Sequence, residues 1–139
     1  MNQKQNGALG RHMLVECHGC DAAILDKGSE LERLARRAAE MAEVTVVASA
    51  HHDYQPQGAS AMVLIAESHL SVHTWPEHGY AAVDIFTCGD AGRPLQACTL
   101  LATALGAKHH SIHEVGRGFV DGSDATSLTL RRVRDEDAR

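Results

Sequence analysis

The sequence predicts an α+β fold, a two-layer sandwich of a mainly antiparallel sheet with two helices on one face. Two stretches place apolar residues at the spacing of an amphipathic helix. The other apolar segments are short and mostly separated by turns too short for a parallel crossover. The length of 139 residues fits one domain. These observations indicate helices packed on a sheet built largely from hairpins.

The predicted order of elements is β-α-β-β-β-β-α-β. Strands are predicted at 12–17, 44–48, 58–67, 69–74, 80–88 and 109–115, and helices at 29–42 and 95–105. Ser29, with Glu32 three residues later, forms a capping-box pattern at the start of the first helix. Gly106 is placed to end the second helix. Residues 1–10 are predicted to be a disordered arm, 11–118 the folded domain, and 119–139 a charged, solvated tail.

The charge balance argues against several classes of partner. The chain has 13 Lys+Arg against 18 Asp+Glu, a formal net charge of −5. We therefore expect no nucleic acid partner, because phosphates attract clustered cations, and no anionic membrane surface. The longest uncharged apolar run, 94–107, is too short to span a bilayer. No secretory signal is visible, so we expect a cytoplasmic protein with reduced cysteines.

Pairs of cysteines and histidines suggest a metal site as one alternative. Cys17 and Cys20 have the spacing of a zinc-binding pair. A structural zinc site needs four ligands, however, and the sequence has no second pair of this kind. The histidines at 51–52 and 109–113 are interpreted as surface residues of strands, because few carboxylates cluster with them. We expect no metal, and a non-catalytic metal-binding or interaction module remains the alternative from another functional class.

Titratable and reactive side chains concentrate in 67–88, within strands that otherwise bury apolar faces. Such groups are costly inside a sheet unless they are hydrogen-bonded, so they indicate a cleft with chemistry. One chemistry is hydrolysis, with Ser68 or Cys88 as nucleophile and His69 or His73 as base. The nucleophile-elbow pattern G-x-S-x-G is absent. The other is self-processing, in which a hydroxyl attacks the carbonyl before it and elimination of the ester leaves a pyruvoyl group.

Four segments carry a resemblance to a known family. They are AESHLSVHTWPE at 66–77, YAAVDIFTCG at 80–89, QGASA at 57–61 and ECHGCD at 16–21. The chain resembles the prokaryotic S-adenosylmethionine decarboxylase proenzyme family, in its short form, over most of 11–118. The segment 67–77 is highly specific for that family.

The resemblance implies self-cleavage between Glu67 and Ser68. The products would be a β chain, 1–67, and an α chain, 68–139. Ser68 would become the pyruvoyl group that forms a Schiff base with the substrate amine. This group acts as the electron sink, so no external cofactor is implied.

The resemblance also implies a role for each of four further residues. His73 would be the processing base that removes the α-hydrogen of residue 68, and Ser60 would assist processing. Cys88 would protonate the substrate α-carbon after carbon dioxide leaves. Glu77 would bind the ribose hydroxyls of the substrate. If 68–73 is a regular strand, His73 faces away from residue 68, so we expect a bulge or bend.

The implied reaction converts S-adenosylmethionine to its decarboxylated form and CO2, for spermidine synthesis. The same processing motif is compatible with arginine or ornithine as substrate, although Glu77 favours an adenosyl compound. Phe86, Tyr80 and Trp75 are candidates to stack on adenine. The family also implies a homodimer, in which active sites draw on both protomers.

Overall fold

In the part of the chain that the structure describes, an antiparallel sheet of seven strands is the frame. The computed structural model describes residues 7–88, 93–120 and 129–133. The strands are β1 Ala8–His18, β2 Val46–Asp53, β3 Ala59–Ile65, β4 Ser68–Trp75, β5 Tyr80–Cys88, β6 His109–Phe119 and β7 Thr129–Val133. Their order in the sheet is β2-β3-β4-β5-β1-β6-β7. The predicted α+β class and antiparallel sheet are confirmed.

Within the described residues, three α-helices accompany the sheet: α1 Ala22–Leu25, α2 Gly28–Met41 and α3 Pro94–Ala104. The sequence predicted two of them, and α1 lies where a loop was expected. Its first turn forms because the Asp21 carboxylate accepts hydrogen bonds from the Ala23 and Ile24 amides. None of the helices in the described part of the chain is long and apolar enough to cross a membrane.

One face of the sheet forms the core with α2 and α3. Alternate residues of the strands point to this side, as the period of two requires. Val63 and Ile85 of the sheet and Leu31 and Leu101 of the helices are all fully buried in this core. We call the opposite side the open face. It carries His12, Ser60, His69, Ser71, His73, Asp84 and Cys88, because these residues alternate with the core positions of β1, β3, β4 and β5.

The two ends of the predicted domain need correction. β1 begins at Ala8, so the prediction of a disordered arm is wrong for 8–10. These residues are ordered because β1 lies between two strands, with Gly10 opposite both Cys88 and Arg117. The predicted solvated tail is wrong for Thr129–Val133, which pairs with β6 as an edge strand. The rest of both predictions, at 1–6, 121–128 and 134–139, lies outside the described residues.

The start of α2 also differs from the prediction. Ser29 is not the cap, since the helix begins at Gly28 after Lys27, whose side chain makes no capping bond. Instead, Oδ1 of Asp53 on β2 accepts a hydrogen bond from the Gly28 amide at 2.8 Å. The predicted end of α3 is confirmed, because Gly106 follows the last turn with a φ of 75°.

This difference gives a test of the helix start. We expect Asp53→Ala to lower the free energy of unfolding by about 1 kcal/mol, because a first-turn amide loses its acceptor. Ser29→Ala should change the free energy of unfolding by less than about 0.5 kcal/mol, as is usual for exposed positions. Urea denaturation of both variants, in an uncleavable Ser68→Ala background, measures the difference. A larger loss from Ser29→Ala than from Asp53→Ala would show that Ser29 is the cap after all.

Candidate active site

The junction between Glu67 and Ser68 is strained. β3 ends at Ile65 and β4 begins at Ser68, so the two strands form a tight hairpin. Ser68 has a φ of 149°, a backbone conformation that residues with a side chain rarely adopt and that costs about 1–3 kcal/mol. Oε1 of Glu67 is buried without a hydrogen-bond partner among the described residues. Both features raise the free energy of the intact chain at this bond.

The carbonyl oxygen of Glu67 is held by two donors from Cys88. The Cys88 amide donates to it at 3.2 Å and the Cys88 thiol at 3.4 Å. Cys88 reaches this place because it ends β5, where Thr87 pairs with Ser68. Two donors on one carbonyl oxygen polarise the carbonyl and would stabilise negative charge on that oxygen. The arrangement therefore prepares the Glu67 carbonyl for attack by a nucleophile.

A hydrogen-bonded group on the open face, which we call the Asp84 cluster, adjoins the same junction. It comprises Asp84, His12, His69 and Ser71. Oδ2 of Asp84 contacts Nε2 of His12 at 2.6 Å and Nε2 of His69 at 3.2 Å, and Oδ1 accepts from Ser71. Nδ1 of His69 lies 3.5 Å from Oγ of Ser68. The cluster thus connects a half-buried carboxylate to the serine at the junction.

Hydrogen bonding sets the charge of Asp84. Burial alone would raise the pKa of this carboxyl, but the hydrogen bonds from Ser71, His12 and His69 outweigh burial and lower the pKa. Asp84 is therefore a carboxylate at neutral pH. Its ligand atoms and those of His12 and His69 lie within 4.8 Å of one another, so these three residues could also hold a metal ion.

Ser60 and His73 form a second group on the open face. They are directly opposite each other in the β3–β4 pair. Oγ of Ser60 lies 2.7 Å from Nδ1 of His73, and the hydroxyl of Tyr54 lies 3.2 Å from the same Oγ. A cavity of about 330 Å³ opens here, lined by Tyr54, Gln57, Ala59, Ser60, His73, Thr74, Trp75 and Glu77. Its polar groups and aromatic rings suit a small polar ligand with a flat ring.

The two groups lie apart in one chain. Ser68 and His73 occupy opposite ends of β4, and five steps along a strand separate their Cα atoms by about 16 Å. The structure therefore brings Glu67, Ser68 and Cys88 together, and separately brings Ser60, His73 and Glu77 together. The bulge or bend expected between Ser68 and His73 is absent, because β4 pairs residue for residue with β3 and β5 over this stretch. The positive φ of Ser68 does not bridge the separation.

The match to a known protein family spans both groups of residues, the one at the Glu67–Ser68 junction and the one around Ser60 and His73. The family model described as S-adenosylmethionine decarboxylase matches residues 11–118. The chain belongs to the S-adenosylmethionine decarboxylase family.

Relatives of this decarboxylase family resemble the chain over most of its length. An S-adenosylmethionine decarboxylase proenzyme of Acetivibrio thermocellus is 50% identical over 114 residues, which are 82% of this chain and 92% of that protein. The proenzyme of Clostridium tetani is 47% identical over 113 residues, 81% of this chain and 90% of that protein. The crystal structure of the adenosylmethionine decarboxylase from Aquifex aeolicus has a TM-score of 0.75 at 39% identity, covering 81% of this chain and 93% of that one.

The other three cysteines of this family member lie in the core. Burial raises the pKa of Cys17 and of Cys98 to about 12, and raises the pKa of Cys20. Raised pKa values disfavour the thiolate, which is the form that attacks carbonyls or binds metals. Cys88 is the exposed cysteine of the four and the one whose thiol contacts the Glu67 carbonyl.

The three aromatic candidates for adenine stacking are in different places. Trp75 lines the cavity, together with Tyr54, which the sequence analysis did not consider. Tyr80 lies between Trp75 and His18, with ring centroids 5.4 and 5.2 Å away. Phe86 packs on His12 and His69 instead, at the Asp84 cluster. Of the three candidates, Trp75 therefore lines the cavity, and Tyr80 and Phe86 do not.

Proposed function

We propose that the chain is a self-processing, pyruvoyl-dependent decarboxylase that converts S-adenosylmethionine to decarboxylated S-adenosylmethionine and CO2. The observation that carries the proposal is the contact of both Cys88 donors with the Glu67 carbonyl, beside the strained Ser68. Family membership supports the substrate, because the named relatives are S-adenosylmethionine decarboxylase proenzymes.

The residues at the junction fit the cleavage chemistry. Oγ of Ser68 attacks the Glu67 carbonyl carbon, the C–N bond breaks and an ester forms in its place. Removal of the α-hydrogen of Ser68 then expels the Glu67 carboxylate, and water converts the remaining enamine to a ketone with loss of ammonia. The Cys88 donors stabilise the oxyanion during the first step. The two chains would be 1–67 and 68–139.

The pyruvoyl group would supply the electron sink for loss of the substrate carboxylate. The surrounding side chains would bind the substrate and move protons. Cys88 is exposed at the junction, where its thiol can give a proton to the substrate α-carbon. Glu77 and the aromatic rings of Tyr54 and Trp75 line one cavity, and a carboxylate beside aromatic faces suits ribose hydroxyls and adenine.

The working unit in this proposal is a homodimer. Ser60, His73 and Glu77 lie too far from Ser68 of the same chain to act on it, so a second copy would bring them. The open face is suited to this contact, because it exposes four large apolar side chains, Leu14, Met62, Leu64 and Trp75, each at least 41% exposed. A two-fold axis would give two equivalent sites, each with Ser68 from one protomer and His73 from its partner.

Subunit complementation tests this arrangement. We expect Ser68→Ala and His73→Ala each to block cleavage when expressed alone. Coexpressed with different tags, they should form mixed dimers with one complete site, so about half of the His73→Ala chains should be cleaved under random pairing. Gel electrophoresis with tag detection measures the fraction. Absence of cleavage in verified mixed dimers would mean that His73 acts within its own chain.

Arginine or ornithine is the second candidate for substrate, with the same processing. The cavity favours the adenosyl compound, because free amino acids have neither ribose hydroxyls for Glu77 nor a flat ring for Trp75. Release of CO2 from each of the three compounds by the purified protein decides between them. A protein that stays as one chain and releases no CO2 would support a binding module instead.

The four unpaired cysteines, Cys88 among them, fit the reducing cytoplasm that we propose as the location.

A further inference from the structure

The first step of self-processing needs a base, and none of the roles above supplies one. A serine hydroxyl is a weak nucleophile until a neighbouring group accepts its proton. His73 is at the other end of β4, and the Cys88 groups act as donors to the carbonyl. Among the described residues, the side chain that makes a hydrogen bond with Oγ of Ser68 is His69, whose Nδ1 lies at 3.5 Å. Contacts of this kind are often long before the reacting geometry is reached.

Hydrogen bonding in the Asp84 cluster leaves a lone pair on Nδ1 of His69. The Asp84 carboxylate can only accept, so Nε2 of His69, 3.2 Å away, must carry the proton. In a neutral imidazole the other nitrogen, Nδ1, is then the acceptor, and it faces the serine hydroxyl. The same argument puts the proton of His12 on Nε2, which contacts Asp84 at 2.6 Å. Nδ1 of His12 is then the acceptor, and Arg117 donates to it at 3.4 Å.

Asp84 is itself fixed by its neighbours. Ser71 and His12 bond to the same carboxylate, and the His12 and His69 rings both contact Phe86, with centroids 5.3 and 6.1 Å from its ring. These contacts hold the carboxylate on the open face of the sheet, between the side chains of β1 and β4. The result is a chain of contacts from Ser68 through His69 to Asp84, with the order of groups found in serine hydrolases.

We propose that His69 is the general base, and then the general acid, of the N-to-O acyl shift at Ser68, and that Asp84 is its positioning residue. This inference rests on the proposed self-processing function and assigns a step within it. Nδ1 of His69 takes the Oγ proton as the bond from Oγ to the Glu67 carbonyl carbon forms. It returns that proton to the Ser68 nitrogen as the C–N bond breaks, so His69 ends the step neutral.

The two histidines of β4 would then divide the processing reaction. His69 would act in ester formation on its own chain. His73 would act in the later elimination, from the partner chain. The inference therefore predicts that loss of each histidine stops processing at a different stage.

A time course of cleavage in cell-free synthesised protein tests the assignment. We expect His69→Gln to slow cleavage by about 100-fold or more, the usual contribution of a general base. His109→Gln, at an exposed position on β6, is the matched control and should cleave at the wild-type rate. If wild type cleaves between Glu67 and Ser68 and His69→Gln cleaves equally fast, the role of His69 is overturned. The proposed function would be unaffected by that result. Failure of wild type to cleave would overturn the proposed function.

Hydroxylamine distinguishes the two stages, because it splits esters much faster than amides. We expect it to cut His73→Ala between Glu67 and Ser68, since the ester accumulates there. It should leave His69→Gln intact, because no ester forms. Cutting of His69→Gln to the same extent would overturn the proposal, since the ester would then form without this base.

Chemical rescue and a pH profile separate a chemical role from a structural one. Added imidazole should restore cleavage to His69→Gly at least 10-fold, and a folded His69→Gly protein that imidazole does not rescue would contradict the proposal. For Asp84→Asn we expect slower cleavage and a shifted pH dependence, because the amide no longer fixes the tautomer of His69. An Asp84→Asn variant with the wild-type rate and pH profile would remove Asp84 from the mechanism.

Discussion

Replacing Ser68 with alanine should leave the chain uncleaved and without decarboxylase activity. The substitution removes the Oγ atom that attacks the Glu67 carbonyl, and it also removes the precursor of the pyruvoyl group. No other hydroxyl is placed on that carbonyl in the described structure, whose donors there are the Cys88 amide and thiol. We expect a single band on a denaturing gel and loss of CO2 release to the background rate.

Ser29→Ala is the matched control for this loss. Ser29 is an exposed serine on α2, far from the junction along the chain. The Ser29→Ala protein should therefore be cleaved and active at wild-type levels. Efficient cleavage of Ser68→Ala at the same bond would refute the assignment of Ser68. Because the alanine variant keeps one covalent chain, it also preserves the uncleaved state for crystallography.

Replacing Cys88 with alanine should impair two reactions to different extents. The backbone amide of residue 88 remains, so the Glu67 carbonyl keeps one of its two donors. We expect cleavage to slow by about 10-fold, less than for loss of a strong oxyanion donor, since a thiol donates weakly. Decarboxylation loses its proton donor and should fall by about 100-fold or more. Gel time courses and CO2 release, normalised to cleaved protein, measure the two separately.

Cys88→Ser separates the two roles of this residue. A hydroxyl can donate to the Glu67 carbonyl, so cleavage should stay close to the wild-type rate. A hydroxyl is a poorer acid than a thiol, however, so decarboxylation should remain low. Normal turnover by cleaved Cys88→Ala would exclude Cys88 as the proton donor. Unchanged cleavage of Cys88→Ala would show that the thiol contact with Glu67 has no part in processing.

Local patterns in the sequence predicted most of the fold. The alternation in β3 and β5 and the helical spacing of Leu31 and Ala35 depend on neighbouring residues, so a single chain reveals them. β7 was missed because it lies in a polar, charged stretch that is typical of a solvated tail. The first residues of β1 were missed because they are ordered by pairing with β5 and β6, which are distant in sequence. The cap of α2 was assigned to Ser29 for the same reason, since the acceptor is Asp53 on another strand.

The sequence predicted which residue types form the candidate site better than it predicted how those residues are arranged in space. Ser68, Cys88 and His73 stand out because reactive groups interrupt apolar strands, whereas Ser60 was assigned only through the resemblance to the family. Ser60 and Ser68 are eight residues apart, an even spacing that would put them on one face of a continuous strand. The turn after Ile65 instead places the two serines on different strands and sets Ser60 opposite His73. This turn separates the two groups.

The Asp84 cluster could not be found from spacing. His12 and Asp84 are 72 residues apart and meet only because β1 inserts between β5 and β6. His69 was considered as a base for hydrolysis, but its orientation by Asp84 depends on the register of β4 with β5. The usable signal was the presence of His69 and Asp84 among the reactive residues at 67–88.

Intact-mass spectrometry of the purified protein tests most directly whether Ser68 cleaves its own chain and becomes the electron sink. We expect two polypeptides, 1–67 and 68–139, with the second lighter by one ammonia than a chain that starts with serine. An intact chain, or a second polypeptide that starts with a free serine amine, would contradict the proposed catalyst.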